Sequence, residues 1–194
     1  MAGKSTREQI VEAADLLFYQ QGFEHTSFAD IAGAVKISRG NFYYHFKSKD
    51  QILDAVIELR RLRTQAMLDQ WEELGSTPQD RIQCFIKILI TNQSKIMAYG
   101  CPVGTLSTEL ARLSHAAQPQ ANALFTLFHE WLSRQFAALG CAEDADVLAM
   151  HLLARSQGIA TLAVAFRDEN FVRREVEQMC GWLSSQITSA VRRS

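Results

Sequence analysis

The chain has 194 residues, 47% apolar and 21% charged, with a formal net charge of -1. That balance is ordinary for a globular protein, and the length suits one or two domains. The longest apolar stretch, Gly158 to Phe166, falls short of the roughly 18 residues a membrane span needs, so no membrane partner is expected.

The N-terminus "MAGKSTREQI" lacks an apolar signal core, so no secretion is expected either. Four cysteines, Cys84, Cys101, Cys141 and Cys180, are widely spaced and form no C-x-x-C pair. That spacing argues against a metal site and fits reduced thiols in a cytoplasm. Apolar residues recur at intervals of three and four throughout, which reads as an all-α chain. Its three prolines, Pro78, Pro102 and Pro119, each stand where a helix can begin.

The first helix starts at a capping box of Ser5 and Glu8 and carries Ile10, Ala13, Ala14, Leu17 and Phe18 on one face. Gly22 stops it, with Phe23 available for the closing apolar contact. Ser27 caps a short second helix bearing Phe28 and Ile31, with Asp30 in its first turn. A break near Val35–Ile37 follows, and Ser38 caps a third helix to about Tyr44. Ser48 and Gln51 form another capping box that opens a long helix from Lys49 to about Leu74. Two short helices across a tight turn outline a helix-turn-helix.

Residues 38–49, "SRGNFYYHFKSK", concentrate aromatic and basic side chains without an acid. In a helix-turn-helix the second helix of the motif enters the major groove. Phe42 and Phe46 are expected to anchor it to a small core with Ile31 and Phe18. Arg39 can pair with guanine and Asn41 with adenine. Tyr43, Tyr44, His45 and the lysines suit phosphate oxygens, and Gly40 allows close backbone approach. Lys36, Arg39, Lys47 and Lys49 make a local positive field that the net charge hides. The bland alternative is a packed helix with a solvated basic rim.

The run from "TSFADIA" through "ISRGNFYYHFKSKDQIL" resembles the N-terminal domain of the TetR family of bacterial transcriptional repressors. The shared pattern is Thr26, Asp30, Ile31 and Ala32, then Ser38, Gly40, Tyr43, His45, Phe46, Lys49 and Leu53. The resemblance implies a homodimer that reads a palindromic double-stranded DNA operator. It also implies a helical C-terminal domain that dimerises and binds a small-molecule inducer. The expected division is residues 1–48 for DNA binding and 49–194 for regulation and dimerisation. The expected DNA-contacting residues are Thr26, Ser27, Lys36, Ser38, Arg39, Gly40, Asn41, Tyr43, Tyr44, His45, Lys47 and Lys49. Lys36 stands where the family often has glycine, and a left-handed residue there costs on the order of 1 kcal/mol.

The rest of the chain is less specific. A helix is expected from Pro78 to about Ala98, interrupted on its apolar face by Asn92 and Gln93. Another runs from about Pro119 to Leu139, with Leu124, Phe125, Phe128, Trp131, Leu132 and Phe136. These residues are mostly core, and a minority can line a pocket that is apolar with a few placed polar groups. The candidate ligand-binding residues are Gln93, Met97, Cys101, Phe128, Trp131 and His151. The segment 143–166 is rich in small residues, and the last helix, after Asn170 as cap, shows a stripe of Val172, Val176, Met179, Cys180, Leu183, Ile187 and Val191. Both are dimerisation candidates, against the alternative that they pack only within their own chain.

Gly100 ends one helix and Pro102 begins the next, which leaves Cys101 at about the N-cap, where the helix dipole favours thiolate, against the alternative of an inert cysteine that packs at a helix start. The Gly100–Cys101 pair with Leu106, Ser107 and Glu109 resembles NemR-type members of the family, which sense electrophiles. The inducer is therefore expected to be apolar or electrophilic. Two rivals stand beside the repressor reading: a cysteine enzyme using Cys101 with His115 or His129, and a helical scaffold that binds DNA without sequence preference. No cofactor and no enzymatic activity are expected, the location is cytoplasmic, and operator position decides between repression and activation.

Overall fold

A computed structural model describes residues 4–191, with side chains through Thr188. Ten helices and no strand occur among the described residues: α1 (Thr6–Gln21), α2 (Phe28–Val35), α3 (Arg39–His45), α4 (Lys49–Leu74), α5 (Pro78–Thr91), α6 (Gln93–Tyr99), α7 (Pro102–Arg112), α8 (Gln118–Ala138), α9 (Ala145–Phe166) and α10 (Glu169–Val191). They form two compact units that interleave along the chain. One holds the residues up to Arg63 together with Pro102–Leu124. The other holds Thr64–Cys101 and the residues from Phe125 onward.

The first unit is built around Ile10, Ala14 and Phe18 of α1, Ile31 of α2, Phe42 and Phe46, and Ile52, Leu53 and Val56 of α4. Leu106 and Leu110 of α7 and Ala121 of α8 complete the same core. Burying each of these large side chains contributes about 1.5–3 kcal/mol. The capping box predicted at Ser5/Glu8 starts α1, and Ser27, the predicted cap of α2, forms a box with Asp30. At α4 the reciprocal bond differs: Ser48 Oγ accepts from the Gln51 N–H at 3.2 Å, but Gln51 Oε1 accepts from the Lys47 N–H at 2.9 Å. The glutamine reaches one residue beyond the expected cap.

The second unit encloses Leu68 and Trp71 of α4, Ile82, Phe85, Ile86 and Leu89 of α5, Trp131, Leu132 and Phe136 of α8, and Leu152, Ile159 and Ala163 of α9. The helix expected from Pro78 to Ala98 is two helices. They meet at Asn92, whose φ of -106° and ψ of 16° leave the helical region. Asp168, not Asn170, caps the last helix: its Oδ1 accepts from the Asn170 N–H at 2.8 Å. The expected stripe on α10 turns inward. Val172, Val176, Met179 and Leu183 are buried in this unit's own core. The Val191 side chain lies outside the described residues.

Helix α9 is long and apolar enough, by length and composition, to cross a bilayer. Its longest uninterrupted apolar run, Gly158 to Phe166, is shorter because Asp146, His151 and Arg155 interrupt the apolar residues before it. Its inner side is built into the helical core, and Arg155 pairs with Glu175 of α10 at 2.9 Å.

Candidate nucleic-acid interface and ligand-binding region

The geometry of α2 and α3 follows from the turn between them. The Ile37 N–H donates to the Ala32 carbonyl and the Lys36 N–H to that of Gly33, both at 3.2 Å. This pair of bonds is a Schellman closure, and it needs a left-handed residue at Lys36. Lys36 adopts φ 59° and ψ 42° and projects into solvent. The turn that the family commonly makes with glycine is thus made here by a lysine.

Ser38 then caps α3, its Oγ accepting from the Asn41 N–H at 3.3 Å. Phe42 and Phe46 are buried, with the Phe28 ring 5.1 Å from that of Phe42. These anchors set the rotation of α3. Arg39, Gly40, Asn41, Tyr43, Tyr44 and Lys47 therefore face solvent, Tyr44 at 78% exposure. His45 is half-buried against Tyr44, ring centroids 5.2 Å apart. A Cβ on Gly40 would meet nothing within 4 Å, so the glycine leaves the outer face of α3 low and open. The Lys47 ammonium also donates to the Tyr43 carbonyl. Ser27 and Ser38 stand exposed at the N-termini of α2 and α3, where free N–H groups suit phosphate.

Two expected contact residues are engaged within the protein. Thr26 is buried, and its hydroxyl donates to the Gly22 carbonyl at 2.6 Å. Lys49 Nζ donates to the carbonyls of Phe23, Glu24 and Thr26 at 2.9, 3.0 and 3.3 Å and lies 4.4 Å from the centre of the Phe23 ring. Both brace the loop between α1 and α2.

The carboxyl of Asp30 is held below the usual range, first by the Ser27 hydroxyl and then by the Ser27 N–H. The Glu8 carboxyl is lowered likewise, chiefly by the Ser5 N–H. Both shifts are the electrostatic face of the capping boxes.

Glu109 of α7 was outside the expected site and matters to its support. Its carboxylate accepts from the N–H groups of Phe23 and Glu24, each at 2.9 Å. Gly22 is needed there twice over: its φ is 91°, and a Cβ would come within 2.9 Å of Glu109 Oε1. No local signal announces a contact between residues so far apart in sequence. Arg60 is the second unforeseen brace. It reads as part of a basic run, yet it is buried, pairing with Asp15 at 2.6 Å and donating to the Pro102 carbonyl at 2.5 Å.

In the second unit, Trp131 is buried beside Trp71, and Phe128 meets Phe85, with centroids 5.6 and 5.7 Å apart. Met97 and Cys101 pack half-buried against the same core. Gln93 is buried and donates to the Glu169 carbonyl at 3.0 Å, tying α6 to the start of α10. His151 departs from this group: it is exposed on α9 and stacks on Trp182 at 4.7 Å. None of the cysteines is in a disulfide, and burial pushes the Cys180 thiol up. His115 and His129, the proposed helpers of a cysteine enzyme, have local partners in the Ala117 N–H and the Asp146 carbonyl.

A capped recognition helix, anchored by aromatics and open on a basic, aromatic outer face, defines a helix-turn-helix DNA-binding protein. Residues 10–56 match the family described as "Bacterial regulatory proteins, tetR family". Residues 78–178 match "Transcriptional regulator LmrA/YxaF-like, C-terminal domain". The chain belongs to the TetR family of bacterial transcription regulators, and it is a regulator rather than an enzyme. It is 32% identical over 150 residues to the HTH-type transcriptional regulator LmrA of Bacillus subtilis, covering 74% of this chain and 78% of that one. A TetR transcriptional regulator from Legionella pneumophila superimposes with a TM-score of 0.81 at 29% identity, over 92% of this chain and 99% of that one. The reduced form of Escherichia coli NemR shares the fold at a TM-score of 0.76 and 19% identity, over 90% and 95% of the two chains.

Proposed function

We propose that this regulator is a repressor that binds an inverted-repeat operator as a homodimer in the bacterial cytoplasm and is released by a small-molecule inducer. Residues 1–48 carry DNA contact and 49–194 carry regulation and dimerisation. The observation that supports operator reading most directly is the outer face of α3. Arg39 and Asn41 are exposed to address bases, while Lys36, Tyr43, Tyr44 and Lys47 are exposed to address phosphates. Selection of bound fragments from random DNA tests this. An enriched inverted repeat is the expected result, and recovery of no consensus, with binding that only tracks salt, would leave a non-specific DNA binder.

The dimer is supported by α9 rather than by the stripe on α10. Val147, Met150, Leu162 and Phe166 are exposed, the first and last at 70% and 69%. Ala154 and Gly158 lie between them in the same three-and-four spacing. A Cβ at Gly158 or at Gly181 of α10 would meet nothing within 4 Å in this chain, which leaves close approach to a second copy. A self-complementary apolar face of this kind suits a two-fold axis. The inducer site is the aromatic core around Phe128 and Trp131, with Met97, Gln93 and Cys101 as further members. His151 falls on the α9 face instead. An electrophile acting on Cys101 is tested by comparing operator release in wild type and Cys101→Ser. Equal release in both removes the thiol from the mechanism.

A further inference from the structure

The core of the second unit contains two polar atoms that find no hydrogen-bond partner among the described residues: Trp131 Nε1, a donor, and Gln135 Oε1, an acceptor. Trp131 is 1% exposed and Gln135 4%, so bulk water does not reach them. They stand one turn apart on α8, which places them on the same helix face.

The orientation of Gln135 is set by its neighbours. Its Nε2 donates to Glu72 Oε1 at 2.6 Å, and Glu72 is in turn paired with Arg81 at 2.7 Å. An ionised carboxylate only accepts, so the amide nitrogen must face it and the amide oxygen must face away. The acceptor is therefore held in place by an ion pair, not left by chance. Two such groups on one helix face of a buried core are costly to keep.

We infer that Trp131 and Gln135 are a paired donor and acceptor for the hydroxyl of a neutral, largely aromatic ligand. A hydroxyl accepts from the indole N–H and donates to the amide oxygen, answering both groups with one atom. Trp71 supplies flat apolar surface beside Trp131, and Phe85 packs edge-on against Trp71. Neutrality follows from the charges at hand: Glu72 already has Arg81, so an ionised ligand would enter an apolar core without a counter-charge. This rests on the inducer reading above and names the chemistry of its site.

Calorimetric titration of the full-length protein with 1-naphthol, 1-methoxynaphthalene and 1-naphthoate tests it without using any operator. The first offers both a donor and an acceptor, the second only an acceptor, and the third a charge. 1-Naphthol should bind about tenfold or more tightly than either of the others. Gln135→Leu should bring 1-naphthol down to the level of 1-methoxynaphthalene and leave the latter unchanged, whereas Trp131→Phe should weaken both. Thermal melting checks that the variants fold, and the wild-type probe series decides the matter if they do not. Equal binding of 1-naphthol and 1-methoxynaphthalene, or discrimination that survives Gln135→Leu, overturns the inference. So does the absence of binding by all three, which would assign the pair to a buried water. Because operator selection is a separate measurement, a repressor that binds its operator but ignores 1-naphthol refutes this inference alone.

Discussion

Both units bury an apolar core, but the long-range polar contacts of the first centre on α1 and the loop that follows it, whereas those of the second are spread around its aromatic core. In the first, Glu109 receives two backbone N–H groups, Lys49 reaches three carbonyls, and Arg60 joins Asp15 to the Pro102 carbonyl. The Glu109 and Lys49 contacts bind α7 and the start of α4 to the loop that follows α1, and Arg60 ties the middle of α4 to α1 and the start of α7. In the second, bonds such as Gln93 to the Glu169 carbonyl, Gln135 to Glu72 and Arg155 to Glu175 lie around a wide aromatic and aliphatic core that keeps a donor and an acceptor unanswered, as the first unit keeps the Ser107 hydroxyl. Directional contacts hold a DNA-reading face in one geometry. Non-directional packing tolerates rearrangement around an incoming molecule, and that suits a regulatory unit.

The sharpest way to break this contrast lies on the last two helices. Leu183→Asp puts a charge into the core of the second unit and should cost more than about 4 kcal/mol, unfolding that unit in urea. Val147→Glu on the exposed face of α9 should leave the fold intact and yield monomers by analytical ultracentrifugation. Monomers that fold normally after Leu183→Asp would show that the inward assignment of α10 is mistaken.

Next in size is Arg60→Ala. It strands the partly buried Asp15 and should destabilise the protein by about 3 kcal/mol in urea titration, the low end of the range for a broken buried pair. Arg63 limits the loss, since it also contacts Asp15, at 3.0 Å.

On DNA, Arg39→Ala should erase about 1–3 kcal/mol of discrimination among operator variants measured by fluorescence anisotropy. Lys47→Ala should weaken all sequences alike and flatten the salt dependence. Uniform weakening by Arg39→Ala would make it a phosphate contact.

Ser27→Ala should have the smallest effect, about 1 kcal/mol for the lost cap. It should also raise the Asp30 carboxyl toward its ordinary value in an NMR titration. In the folded wild type that carboxyl is lowered by Ser27, so its support is present above the ordinary carboxylate range and fades as pH falls through the lowered folded value.

What the sequence determined by itself is local. The capping serines, the turn at Lys36 and the inward Phe42 and Phe46 were legible because their partners lie within one or two helical turns. The TetR resemblance rests on the same short run, and it named the fold and the helix expected to read DNA. Tertiary structure decided which neighbour covers each apolar face. Periodicity marks Val172 and Leu183 as one stripe but says nothing of whether a second chain or this chain's own core lies against it. It decided that α7 joins the unit of α1–α3, because Glu109 meets Phe23 across 86 residues of chain. It also turned Thr26 and Lys49 inward and split α5 from α6 at Asn92. A hydrogen bond or an ion pair between distant residues has no period to betray it. Only the folded chain shows which polar atoms have partners and which, like those of Trp131 and Gln135, do not.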